Sequence, residues 1–180
     1  AWNMYSGDHF GNVFFAENPE SDFYIYLDHE WYRNTGIKTD FNEYLKLNYK
    51  LFSNLDLWLD LQYRMIDYEM DGIHDDLRDI TQDHKYNFFN PKAGFNLNFL
   101  KDHSVYFSFA LANREPNRSN FRDAAEGEVF THETLYDYEA GYRFTAEKMA
   151  VNLNLYYMDY KDQLILTGEI NDVGAYIMSN

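Results

Sequence analysis

Apolar and polar residues alternate with a period of two along most of this chain, the signature of strands with one greasy and one wet face. From Leu45, one face reads Leu45, Leu47, Tyr49 and Leu51, against Lys46, Asn48 and Lys50. Leu55, Leu57, Leu59, Leu61, Tyr63 and Met65 then oppose Asp56, Trp58, Asp60, Gln62 and Arg64. Ala93, Phe95, Leu97 and Phe99 oppose Lys92, Gly94, Asn96 and Asn98. Val105, Phe107, Phe109 and Leu111 oppose Tyr106, Ser108, Ala110 and Ala112. Tyr136, Tyr138, Ala140, Tyr142 and Phe144 follow the same rule, and so do Val151, Leu153, Leu155 and Tyr157.

The pattern predicts about six amphipathic strands of roughly 9–15 residues, against a usual length of ~5–6. Connections alternate in length. Tight turns are expected at Ser53-Asn54, Lys101-Asp102 and Ala146-Glu147, and long polar loops at Asp71–His84 and Asn113–His132. Short turns on one rim and long loops on the other suit an outer-membrane barrel. The predicted fold class is all-β: an antiparallel meander of long amphipathic strands forming a segment of a transmembrane β-barrel. Tyr63, Tyr136 and Tyr157 at the ends of the apolar faces suit an interfacial girdle. Leu57, Leu59 and Leu61 should share one surface with Phe95, Leu97, Phe107, Phe109, Leu153 and Leu155, facing lipid. If left bare, that surface would drive self-association. Over the first 40 residues the faces are mixed, and "DFYIYLDHEWYRNTGIKTDF" reads as a hairpin turning at Asn34-Thr35-Gly36, with Gly supplying a positive φ. The alternative architecture is a soluble or secreted β-sandwich binding a glycan or a protein, its apolar faces packed together as two sheets.

Composition agrees with β structure: 17 Tyr and 15 Phe lie among 180 residues, and aromatics suit a pleated surface. A formal charge of -15 argues against nucleic acid, which requires clustered Lys and Arg. There is no Cys, so disulfides and thiol chemistry are excluded. No apolar run approaches the ~18 residues of a transmembrane helix. Mean hydropathy is -0.61, which does not argue against a barrel because alternating strands average out. The N-terminal "AWNMYSGDHFGN" lacks a basic segment followed by an apolar one, so the chain is expected to be mature or cut from something longer.

Candidate chemistry is sparse. No nucleophile–base pair, zinc-protease motif or phosphate loop occurs, so neither catalysis nor a cofactor is expected. Asp75, Asp76, Asp79 and Asp83, with His74 and His84, offer Ca²⁺-type ligands. They lack the spacing of an EF-hand, and a solvated acidic loop is the preferred reading, with Ca²⁺ as the alternative. Arg114, Glu115 and Arg118 follow the Val105 strand. By parity Arg114 lies on the polar face with Asp137 and Glu139 of the next strand, and it is expected to pair with one of them. This charged set reads either as a ladder stiffening the wall or as a contact surface for a plug or an anionic substrate.

Several strings carry a resemblance: "SFALANREPNRSNFRDA", "ETLYDYEAGYRF", "NLYYMDYKDQLILTGEINDVGA", "DLQYRMIDYEMDG" and "NFFNPKAGF". The chain resembles TonB-dependent receptors of the Bacteroidetes outer membrane, in the C-terminal part of their barrel. The resemblance implies a plugged barrel of about 22 strands. It also implies import of a scarce nutrient, such as a ferric siderophore, haem or cobalamin, with energy delivered by the TonB complex. Outer-membrane lipid, the TonB complex and a small-molecule nutrient are the partners implied. A plug, a TonB box and the remaining strands are expected to lie outside residues 1–180.

Overall fold

The computed structural model describes residues 1–14, 28–124, 129–170 and 176–179. In chain order the elements are β1 (Trp2–Asn12), β2 (Glu30–Phe52), β3 (Leu55–Gly72), β4 (Gln82–Leu100), β5 (His103–Arg114), α1 (Arg118–Arg122), β6 (Glu133–Ala146), β7 (Met149–Lys161), β8 (Ile165–Ile170) and β9 (Tyr176–Ser179). Strands β1 to β7 form one sheet in sequence order, and β8 pairs with β9 separately. Among the described residues the meander is therefore antiparallel and unclosed, with its strands in one sheet and not divided between two as a sandwich requires. The residues divide into two compact units: Ala1–Phe41 with Met65–Asn87, and Asn42–Arg64 with Phe88–Asn180.

The second unit holds the alternating segments. Directly opposed residues of antiparallel strands project to the same side, so the register assigns the faces. Phe95 opposes Phe107 and Leu97 opposes Val105. Phe107 opposes Ala140 and Phe109 opposes Tyr138. Leu155 opposes Ala140, and Leu153 opposes Tyr142. Trp58 lies against Gly94 on the other side, which puts Leu57, Leu59 and Leu61 with the apolar set. Part of that set is bare: Leu155 is 65% exposed, and Leu45, Leu47, Phe107 and Leu153 are exposed as well, while Leu57, Leu59, Phe95 and Phe109 are half-buried. Aromatic residues crowd the short-turn rim, where His103 Nδ1 meets the Tyr142 hydroxyl at 2.6 Å and the His103 ring sits 4.8 Å from that of Phe144. At the other end, Lys161 Nζ stands 5.1 Å over the Tyr136 ring. Tyr157 lies farther along the strand, 6.2 Å from Tyr138. Turns form at Ser53-Asn54 and Lys101-Asp102, and the third falls at Glu147-Lys148, one residue later than the pattern indicates.

In the first unit, Asn34-Thr35-Gly36 is not a turn. These residues lie in the middle of β2, where Asn34 pairs with His9, Thr35 with Asp8 and Gly36 with Gly7. Asn34 is 1% exposed, and its Nδ2 donates to the Ile73 carbonyl at 2.9 Å. Residues 22–27 of the expected hairpin lie outside the described residues. Around Asn34 the core contains Ile66, Tyr68, Met70 and Ile80. Gly72 has a φ of 114°, and a Cβ there would collide with the Arg33 carbonyl. Both the backbone angle and the close approach require glycine.

Candidate functional site: the polar face of the sheet

At the long-loop end of the second unit, a hydrogen-bonded series takes one member from each of five consecutive strands. Thr134 on β6 donates to Asn113 on β5 at 2.8 Å. Asn113 donates to Asn90 on β4 at 2.9 Å, Asn90 to Gln62 on β3 at 3.0 Å, and Gln62 to Asn42 on β2 at 3.3 Å. Asn90 precedes Pro91, which has no N–H for the ladder, and the β4–β5 pairing ends at Lys92 and Ala110. Beyond that point Asn90 Oδ1 accepts from the backbone N–H of Asn113, at 2.9 Å.

The ion pairs follow from register and reach. Glu115 holds Arg64 through two bonds of 2.9 and 3.0 Å. Arg64 is on β3 and Glu115 follows β5, so the pair reaches over β4. Strands lie ~4.8 Å apart, and a gap of roughly 10 Å is within the span of Arg and Glu together. Arg114 opposes Glu133 directly, and its guanidinium meets that carboxylate at 2.7 Å. The expected partners Asp137 and Glu139 are therefore wrong. The face is correct, but Asp137 opposes Ala110 and Glu139 opposes Ser108. A separation of four residues along a strand is ~13 Å, beyond a side chain's reach. Arg118 opens α1, whose N-cap Asn117 accepts from the Asn120 backbone N–H. The charged set thus does not converge on one point.

Below these pairs, toward the short turns, lies an open concavity of ≈ 660 Å³ lined by Trp58, Lys92, Tyr106, Glu139, Arg143 and Asn154, among others. Two large rings lie flat along its floor because glycines leave room for them. Trp58 covers Gly94, where a Cβ would sit 2.6 Å from the indole, and Tyr106 covers Gly141, where a Cβ would overlap the ring. Lys92 Nζ stands 5.5 Å over the Trp58 ring. Arg143 donates to Asn152 at 3.1 Å. Asp137 Oδ1 is buried without a hydrogen-bond partner among the described residues, and so is Asp60 Oδ1. Parity alone revealed this polar face; nothing in the linear pattern indicated which glycines would lie beneath rings.

The acidic loop also resolves into local pairs. His74, Asp75 and Asp76 come together, but Asp79 and Asp83 are not in that group, so the four carboxylates considered for Ca²⁺ do not share a locus. Asp76 is tied to Arg78 Nε at 2.6 Å. Burial of Asp76 raises its pKa, but the hydrogen bonds and charge of Arg78 outweigh burial and hold it below the usual value. Hydrogen bonds from Thr81 hold Asp79 below its usual value as well. His84 lies on β4, its Nε2 2.8 Å from Gln82 Oε1.

A meander with an apolar outer surface, a polar inner surface, short turns at one rim and long loops at the other defines the wall of an outer-membrane β-barrel. The chain belongs to the family described as TonB dependent receptor-like, beta-barrel, whose model matches residues 2–180. This is a family of the bacterial outer membrane. Among solved structures, the chain is similar to the ferric-catecholate import receptor Fiu of E. coli K12 in its closed form. The TM-score is 0.64 at 15% identity, over 99% of this chain and 29% of that one. It is also similar to the FrpB iron transporter of Neisseria meningitidis, F3-3 variant, with a TM-score of 0.59 at 17% identity, over 82% and 22% of the two chains. The alcaligin outer membrane receptor FauA of Bordetella pertussis gives 0.54 at 13% identity, over 82% and 26%. The chain thus spans less than a third of each of these proteins. No curated protein matches it in sequence.

Proposed function

We propose that residues 1–180 are one portion of a larger barrel that imports a scarce nutrient, such as a ferric siderophore, haem or cobalamin, using energy from the TonB complex. The observation that carries this reading is the family match over residues 2–180. It is supported by neighbours whose own names refer to iron, ferric catecholate and alcaligin. The strings quoted above favour a Bacteroidetes source. Arg114, Glu115, Arg118, Asp137 and Glu139 are read as residues of the inner surface, and four of them divide into two kinds. Arg114 and Glu115 are engaged by the wall itself. Asp137 and Glu139 are the members available to a plug or a substrate, and the orphaned Asp137 oxygen supports this because a buried acceptor is costly unless something donates to it. The reading is tested by uptake of labelled ferric siderophores, haem and cobalamin through the intact receptor, in cells with and without active TonB. TonB-dependent accumulation of one of them is expected. Accumulation that is indifferent to TonB, or absent for all three, refutes the proposal.

A further inference from the structure

Strand β7 ends at Lys161, and Asp162 turns the chain with a left-handed φ of 51°. Two residues later Leu164 is buried, and its backbone N–H donates to Glu133 Oε1 at 2.9 Å. Strand β8 starts at the next residue and pairs with β9, outside the seven-stranded sheet. Glu133 is the first residue of β6, only 6% exposed, and its carboxylate also takes the Arg114 guanidinium at 2.7 Å. One buried carboxylate therefore joins the end of β5, the start of β6 and the base of β8. An ionised acceptor binds an N–H more strongly than a neutral one. Because the tie is a single side chain and not a ladder, it can open without unzipping a strand. Asp162 and Thr167 make further contacts of their own, and the tie acts alongside them.

We propose that Glu133 is a latch: a positioning residue whose carboxylate holds the base of β8 to the β5–β6 wall, and whose loss frees that strand to move about Asp162. The test is hydrogen–deuterium exchange on the intact receptor in detergent or nanodiscs, and it requires no knowledge of the substrate. In the unmodified receptor the Leu164 amide should be protected. Exchange there at the rate of an exposed loop amide overturns the proposal before any variant is made. In Glu133→Ala, residues 163–168 should exchange about tenfold faster or more, the expected effect of losing a buried charge-assisted bond, with peptides of β5 to β7 unchanged. Acceleration spread evenly through β5 to β7 overturns the latch and makes Glu133 a wall residue. Glu133→Gln keeps an oxygen for Leu164 and should retain most of the protection. If it behaves like the Ala variant, the bond to the Leu164 amide is not what holds β8.

Discussion

Replacing Arg64 by Met and Glu115 by Gln together should loosen the barrel wall by clearly less than the sum of the two single replacements. The pair has two bonds, 2.9 and 3.0 Å long, and its side chains are mostly buried, at 23% and 11% exposure. It therefore lies between a rim pair, worth ~0.2–1 kcal/mol, and a fully buried one whose rupture costs ~3–5 kcal/mol. Each single change leaves a partly desolvated charge, so a cost of about 2–4 kcal/mol is expected after discounting for solvent screening. Both residues have other contacts, which the double-mutant cycle subtracts. The coupling between them should be roughly 1.5–3 kcal/mol. The assay is urea unfolding of the intact receptor in lipid vesicles, followed by tryptophan fluorescence and by the mobility difference between folded and unfolded barrel on gels. A coupling below ~0.5 kcal/mol, the usual additivity error, refutes the claim that this pair holds the outer loop across β4.

Gly141→Ala should destabilise the same barrel by about 1–3 kcal/mol, the usual cost of overpacking, because the new Cβ overlaps the Tyr106 ring; Tyr106→Ser in the same molecule should recover most of it in the same assay. The acidic loop has a defined acid limit. In the folded state hydrogen bonds from Arg78 and Thr81 hold Asp76 and Asp79 below the ordinary aspartate value. Their contribution to stability is present above that value and is lost as pH falls through the depressed folded values. Exchange of residues 73–81 should therefore stay flat from neutral pH down to about pH 4, after correction for intrinsic rates, and rise only below it. A rise near pH 6 contradicts that assignment.

Strands β3 to β7 were legible in the sequence because lipid imposes a strict alternation, and a strand with one greasy face declares its parity at every second residue. The first unit gave no such signal. Its β2 segment has polar residues on both faces, and Asn34-Thr35-Gly36 carries a strong local turn preference that pairing with β1 overrides. The charged site shows the same limit. Parity placed Arg114 on the correct face, but register across a loop of 18 residues, 115–132, is not written in that loop. The short turns left no such freedom, and errors there stayed within one residue. The pair of Arg64 with Glu115 leaves no such mark, because parity relates adjacent strands and this pair skips one. The Glu133 tie to Leu164 involves a backbone N–H, which has no residue-type signature.

The five-membered series at the long-loop end of the strands has a polarity. Every link is donated by the later strand to the earlier one, from Thr134 through Asn113, Asn90 and Gln62 to Asn42. Each interior amide gives a proton from its nitrogen while receiving one at its oxygen, so the links polarise one another in the same sense. Such a one-way series cannot be repaired locally. A carboxylate at position 90 or 113 could receive but not give, and rotating one amide by half a turn would set oxygen against oxygen on one side and nitrogen against nitrogen on the other. Five strands thus share a single hydrogen-bond orientation, and an isosteric Asn-to-Asp change at either position would keep the bond received from the later strand and reverse the demand on the neighbour in the earlier one.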